Sequence, residues 1–243
     1  MTAREDILAR IRAATGAGGP GGVGGAGEAG RRDADVDAAY AALPRPYLRA
    51  HHDPAEHDVV ALFAERAADY RAVVEQVPLA GVPEAVARIL IDQVEFSAGS
   101  AENSARPGPT GEFVVPEGLP GDWVAEVAQP ATLAGDSPPL SPGRLDQLAG
   151  VVTGCAVAIA ETGTIVLDHG PGQGRRALSL VPDFHLVIVR ADQVEADLPG
   201  ALARLDPRRP QTLISGPSAT SDIELIRVEG VHGPRTLHIL VAT

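Results

Sequence analysis

Apolar residues recur along the chain with two different periods, and each period predicts a different kind of element. In the first half they recur every three or four positions, which predicts amphipathic helices over residues 2–14, 58–77 and 83–94. Residues 98–111 are rich in Gly, Pro, Ser and Asn, so we expect a loop there. The short apolar run 113–115 that follows is expected to be a first strand.

In the second half of the chain, short apolar runs alternate with polar segments, and this pattern predicts alternating strands and helices. The predicted elements are strands at 151–160, 164–168, 184–190, 211–215 and 236–242 and helices at 175–181, 197–205 and 221–228. The runs 184–190 and 236–242 lack in–out alternation, as is typical of strands that are covered on both faces. The sequence therefore predicts an α/β fold, with a mostly parallel sheet between helix layers. Residues 164–168 can instead form an antiparallel hairpin with 151–160.

The distribution of glycine predicts three segments. More than half of residues 16–30 are Gly, a composition that is typical of a flexible linker. We therefore expect an N-terminal helix at 1–15, a Gly/Pro-rich linker at 16–50 and an α/β domain at 51–243. Residues 22–27 match the GxGxxG dinucleotide pattern, but glycine on both sides replaces the strand and helix that this fingerprint requires.

Charge and cysteine content exclude several classes of function. The 243 residues carry a formal net charge of −12, which opposes binding to nucleic acid. The chain contains no Lys, so lysine Schiff-base chemistry and a Walker-type phosphate loop are excluded. Its one cysteine, Cys155, cannot hold an iron–sulfur cluster alone. We expect no cofactor in this chain and place any such cluster in a partner protein.

Neither a membrane span nor a metal site is predicted. No stretch approaches the roughly twenty apolar residues of a transmembrane helix, and the start of the chain lacks the apolar region of a signal peptide, so we expect a cytoplasmic protein. The histidines and acidic residues of segment 51–58 match no common spacing of zinc or iron ligands.

The most informative segment is 214–224, ISGPSATSDIE, which separates an apolar run from a predicted helix start. Backbone N–H groups at a helix N-terminus attract small anions, and hydroxyl groups add further donors. The candidate anion-binding residues of this loop are Ser215, Gly216, Ser218, Thr220, Ser221 and Asp222. The other interpretation is structural, since Ser221 and Glu224 have the spacing of a capping box. The surplus hydroxyls favour a small carboxylate or phosphate ligand.

A second turn, Glu161-Thr162-Gly163-Thr164, follows another apolar run and is predicted to meet the first turn in one cleft. A carboxylate beside buried surface can act as a base or a nucleophile, so Glu161 is the candidate catalytic residue. Thr162 and Gly163 are candidate binding residues because they offer hydroxyl and backbone contacts. The alternative is that Glu161 is a solvated turn residue.

Two further candidates lie near these turns. Arg175 and Arg176 follow the glycine-rich corner at 171–174, and as a pair they can clamp a carboxylate or phosphate or can be solvated surface residues. Arg175 is taken as the candidate binding residue. His232 offers a titratable imidazole before a tight turn, although a lone histidine is more often structural.

Five separated blocks in the second half resemble the lactate utilization protein C family, whose members have a lactate utilization (LUD) domain. The blocks are AIAETGT at 158–164, PGQGR at 171–175, VRADQ at 189–193, ISGPSATSDIE at 214–224 and VHGP at 231–234. The resemblance implies a fold like that of sugar-phosphate isomerases and coenzyme A transferases. It also implies participation in the oxidation of L-lactate to pyruvate beside iron–sulfur partner proteins.

Three functional hypotheses follow from the sequence. The first is an accessory or substrate-handling subunit of an L-lactate oxidation system. The second is a stand-alone enzyme of the acyl-transfer or sugar-phosphate isomerase type that uses Glu161. The third is a non-catalytic interaction module in which both turns are only architectural.

Overall fold

The computed structural model describes residue 10 and residues 38–44, 58–101, 111–220, 228–229 and 233–243. The chain divides into two units, Met1–Tyr47 and Leu48–Thr243. Residues 38–42 of the first unit are helical. The helix expected at 1–15 and most of the linker expected at 16–50 lie outside the described residues.

The second unit contains four α-helices and twelve strands within its described residues. In chain order these are α1 (Val59–Asp69), β1 (Val73–Val77), α2 (Val82–Ala101), β2 (Glu112–Val115), β3 (Thr132–Gly135), α3 (Pro142–Leu145), β4 (Gly150–Thr153), β5 (Val157–Ile159), β6 (Thr164–Leu167), β7 (Phe184–Arg190), β8 (Val194–Glu195), α4 (Leu198–Ala203), β9 (Thr212–Ile214), β10 (Ala219–Thr220), β11 (Val228–Glu229) and β12 (Thr236–Ala242). Short 3-10 helices add single turns, among them Arg176–Ser179 before β7.

Two main sheets organise this unit. Six strands form a sheet in the order β1-β12-β7-β4-β2-β3, and every neighbouring pair in it is parallel. A second sheet has the order β8-β5-β6-β9 and contains the antiparallel hairpin of β5 and β6. The predicted α/β fold with a mostly parallel sheet is therefore confirmed, and so is the alternative hairpin for residues 164–167.

The six-stranded sheet is covered on both faces, because alternate residues of its central strands enter different cores. Leu186 and Ile188 of β7 pack in one core with residues of α2 such as Leu90. Val187 and Val189 face the opposite core, which they share with α1 and with the second sheet. The outer face of the second sheet packs in turn against Ala201 of α4. Burial on both faces explains why these strands lack alternation in the sequence.

The helix predicted over residues 58–77 is too long, because it ends at Asp69 and the strand β1 follows. Asp58 caps its start by accepting hydrogen bonds from the backbone N–H groups of the first turn. At the other end, the Arg71 N–H donates to the Ala68 carbonyl and the Ala72 N–H to the Ala67 carbonyl, which is a Schellman motif. Glycine usually fills the left-handed position of this motif, but here Arg71 adopts it, with φ of 70°.

Three other predicted elements also need correction. The expected strand 151–160 is two strands, β4 and β5, which lie in different sheets. Cys155, where the chain crosses between the sheets, is buried, and no charged residue or proline marks the break. The helix expected at 83–94 continues to Ala101, which shortens the loop expected at 98–111. The helix expected at 221–228 lies mostly outside the described residues, and Val228 itself belongs to a strand.

Candidate functional site

The donor-rich turn lies directly after β9, as the sequence predicts, and it is held from two sides. Gly216 has a φ of +80°, and a Cβ atom at this position would lie 2.4 Å from the Tyr70 carbonyl oxygen. On the other side, the Ser218 N–H donates to the Pro234 carbonyl at 2.9 Å. The turn 215–218 is therefore fixed between the end of α1 and the segment that leads into β12.

This turn forms one wall of a cavity of about 310 Å³. The described residues that line the cavity are Arg176, Ser179, Leu180, His185, Thr212, Leu213, Ile214, Ser215, Gly216, Pro217, Ser218, Gly233, Pro234 and Leu237. His185 and Leu237 are the second residues of β7 and β12, so the cavity lies at the amino ends of these central strands. Its volume is at the small end of the range for ligand pockets, which favours a ligand with few atoms.

The polar groups of the cavity suit a small anion. Arg176 supplies a guanidinium group, and its described neighbours include no ion-pair partner. Four hydroxyl side chains, Ser179, Thr212, Ser215 and Ser218, line the same space, and none of the described lining residues is acidic. A guanidinium group and hydroxyl donors without a competing carboxylate favour a carboxylate or phosphate ligand.

His185 is a buried imidazole in the wall of this cavity. Its side chain is 1% exposed, and its Nε2 lies 2.8 Å from the Thr153 hydroxyl at the end of β4. Burial lowers the pKa of His185 to about 3, because the charged ring would lose its hydration. The imidazole is therefore neutral at physiological pH and offers one donor and one acceptor.

A second histidine, His169, contacts Thr212, one of the residues that line the cavity. His169 Nδ1 lies 2.9 Å from the Gly174 carbonyl, and its Nε2 lies 3.2 Å from the Thr212 hydroxyl. Because a carbonyl oxygen only accepts, Nδ1 carries a proton. In the neutral form of the ring, Nε2 accepts from the Thr212 hydroxyl, whose oxygen can still accept a hydrogen bond.

The two predicted turns are joined by a chain of hydroxyl groups. Thr162 Oγ1 lies 2.7 Å from Thr164 Oγ1, which lies 2.7 Å from Ser215 Oγ. Gly163 packs against α1, where a Cβ atom would lie 2.4 Å from the Ala67 nitrogen. Among the described lining residues of the cavity, however, neither Glu161 nor Thr162 is found.

Arg175 pairs with Asp136 and is not among the described lining residues of the cavity, whereas its neighbour Arg176 is. Its guanidinium group contacts both carboxylate oxygens of Asp136, at 2.7 and 3.0 Å, and also donates to the Leu140 carbonyl at 2.6 Å. The hydrogen bond to Arg175 lowers the pKa of the Asp136 carboxyl group. Arg175 thus ties the glycine-rich corner to the loop after β3, and Arg176 is the arginine that lines the cavity.

Part of the predicted site lies outside the described residues. Ser221, Asp222 and His232 belong to this group, and Thr220 is described only as a backbone residue of β10. Residues 228–229 of β11 pair antiparallel with residues 219–220 of β10.

Three polar lining residues are not candidates in the sequence, namely Ser179, His185 and Thr212, and Arg176 is considered there only as a pair with Arg175. A titratable residue within an otherwise apolar strand was the one available signal for His185. The sequence does not distinguish the two adjacent arginines, and the positions of Ser179 and Thr212 depend on tertiary packing.

Within the described residues, no group of three or more His, Cys, Asp or Glu is arranged to hold a metal ion. No helix in this part of the chain has the length and apolar character of a membrane span.

Comparison with known proteins identifies relatives over most of the chain. Residues 145–242 match the LUD domain family. A Lactate utilization protein C from Deinococcus radiodurans is 42% identical over 203 residues, which cover 82% of this chain and 83% of the relative. A second Lactate utilization protein C, from Halalkalibacterium halodurans, is 39% identical over 100 residues and covers 37% of this chain and 43% of that relative.

A solved structure supports the same assignment. The crystal structure of a DUF162 family protein from Deinococcus radiodurans is similar to this chain, with a TM-score of 0.59 and 37% sequence identity. The match covers 82% of this chain and 100% of the other. The chain therefore belongs to the lactate utilization protein C family of LUD domain proteins.

Proposed function

We propose that this protein is a substrate-handling component of an L-lactate utilization system, and that its cavity binds a small carboxylate. The names of its relatives support the metabolic role. The observation that carries the binding proposal is the cavity at the amino ends of β7 and β12, which combines Arg176 with four hydroxyl side chains and has no acidic residue among its described lining. Lactate and pyruvate are small carboxylates that match this chemistry.

The proposal assigns the oxidation of L-lactate to pyruvate to a complex with iron–sulfur partner proteins. Cys155 is the one cysteine of the sequence, and it is buried beside Gln193, whose amide donates to the Cys155 carbonyl at 2.7 Å. Burial raises the pKa of its thiol to about 12. Metal ligation and nucleophilic attack require a thiolate, so this side chain is unsuited to both. These observations favour redox centres in the partners.

Binding is tested by thermal unfolding in the presence of L-lactate, pyruvate or inorganic phosphate. A ligand at a hundred times its Kd stabilises the native state by about 2.7 kcal/mol, which for a chain of this size raises Tm by roughly 5 °C or more. Arg176→Gln should weaken the binding of the acids about tenfold, because it removes a charge-assisted hydrogen bond. Arg208→Gln is the matched control, since Arg208 is an exposed arginine outside the cavity.

The same two variants test the role in lactate oxidation. With the iron–sulfur partner proteins and L-lactate present, electron transfer should require this protein, should fall with Arg176→Gln and should be unchanged with Arg208→Gln. If none of the three ligands raises Tm, the binding proposal is wrong and the interaction-module hypothesis is favoured. If electron transfer proceeds equally without this chain, the proposed role in lactate oxidation is wrong.

A further inference from the structure

The imidazole of His185 has one nitrogen without a described partner. Its Nε2 is 2.8 Å from Thr153 Oγ1, whereas no described residue bonds its Nδ1. The side chain is 1% exposed, and it lines the cavity opened by the turn 215–218. Because the Thr153 bond occupies only Nε2 and His185 lines the cavity, Nδ1 is a suitable contact for a polar atom of a ligand.

The hydroxyl of Thr153 allows His185 to act as a donor or as an acceptor. In one arrangement Thr153 donates to Nε2, and Nδ1 then carries the proton of the neutral ring. In the other arrangement Nε2–H donates to Thr153, and Nδ1 then accepts. A hydroxyl group rotates to suit either tautomer, so both arrangements keep the bond between the two side chains.

We infer that His185, held by Thr153, binds the C2 oxygen of a short 2-hydroxy or 2-oxo acid whose carboxylate lies beside Arg176. This inference rests on the proposed function and narrows its ligand to one substrate class. The hydroxyl of a 2-hydroxy acid can donate to Nδ1, and the keto oxygen of a 2-oxo acid can accept from Nδ1–H. One residue pair thus accommodates both lactate and pyruvate, the reduced and oxidised forms of the same three-carbon acid.

Propionate provides the discriminating comparison, because it has the carboxylate and carbon chain of lactate but no C2 oxygen. Isothermal titration of the wild-type protein should show that L-lactate and pyruvate bind about tenfold more tightly than propionate. This is the difference expected from one buried hydrogen bond and the unpaired group that its loss leaves. His185→Phe should abolish the preference for L-lactate and pyruvate over propionate, and binding of all three acids with similar affinity would also show that the variant is folded.

The tautomer of His185 gives a second readout that does not depend on a variant. Nitrogen-15 NMR of the wild-type protein should show Nδ1 protonated when pyruvate is bound, because a keto oxygen cannot donate. Pyruvate bound beside an unprotonated Nδ1, or equal affinities for all three acids, would overturn the inference while leaving the proposed carboxylate site in place. If none of the three acids binds, both proposals are wrong.

Discussion

His185 is a buried titratable residue in the apolar strand β7, and its environment links protein stability to pH. Burial lowers its pKa to about 3 in the folded state, whereas an unfolded chain has an ordinary histidine pKa near 6.5. The unfolded state therefore binds the proton more readily between these two values. The stability associated with the neutral ring is fully present above about pH 6.5, and it is lost at up to about 1.4 kcal/mol per pH unit as the pH falls towards 3.

We expect His185→Phe to reduce the acid sensitivity of the fold. Between pH 6.5 and 4.5 the free energy of unfolding of the wild-type protein should fall by roughly 2 to 3 kcal/mol more than that of the variant. Urea unfolding at both pH values measures this difference. His238, whose pKa is also lowered by burial, titrates in both proteins and cancels in the comparison. The same loss of stability in both proteins would contradict the neutral, buried state of His185.

At the same scale, the sequence predicts the turn residues of the cavity but not all of their partners. Ser215, Gly216 and Ser218 stand out because a cluster of small polar residues follows an apolar run. The choice between Arg175 and Arg176 depends on Asp136, which lies 39 residues away along the chain and pairs with Arg175. Such a tertiary contact leaves no local pattern, so adjacent arginines cannot be distinguished from the sequence.

At the scale of elements, the end of α1 positions both predicted turns. A Cβ atom at Gly163 would lie 2.4 Å from the Ala67 nitrogen, and one at Gly216 would lie 2.4 Å from the Tyr70 carbonyl oxygen. Both glycines also have positive φ angles, of +59° and +80°. The two turns therefore pack against consecutive backbone segments of one helix end, and the hydroxyl chain from Thr162 to Ser215 links them.

Gly163→Ala and Gly216→Ala should each destabilise the protein by about 2 to 4 kcal/mol, since a methyl group would contact backbone atoms that cannot move independently. Gly121→Ala is the control, because a Cβ atom there meets nothing within 4 Å, and its effect should stay within about 1 kcal/mol. Urea unfolding of the three variants checks these values. Stabilities equal to that of the control would show that α1 does not fix the turns.

Periodicity predicts most strands and helices because burial of one or both faces determines which positions are apolar. The periodicity predicts strands at 184–190 and 236–242, which are the observed bounds of β7 and β12. It fails where neighbouring elements share one continuous apolar run, as from β4 to β5, because the chain crosses between two sheets within the core. It also fails at Arg71, where a non-glycine residue occupies the left-handed position that ends a helix.

At the scale of the whole molecule, the cavity lies at an unusual edge of the parallel sheet. Open α/β sheets commonly bind ligands beyond the carboxyl ends of their strands, whereas this cavity adjoins the amino ends of β7 and β12. The second sheet explains the difference, because β9 brings the turn 215–218 to this edge. The net charge of −12 opposes anion binding over the molecule as a whole. The proposed anion binding therefore relies on the local guanidinium of Arg176 and the hydroxyl groups.

A crystal structure of the protein with pyruvate tests the central claim most directly. The account predicts pyruvate in the cavity at the amino ends of β7 and β12, with its carboxylate beside Arg176 and the hydroxyls of Ser215 and Ser218 and its keto oxygen within hydrogen-bond distance of His185 Nδ1. Pyruvate bound elsewhere, for example beside Glu161 or beyond the carboxyl ends of β4 and β7, would contradict it.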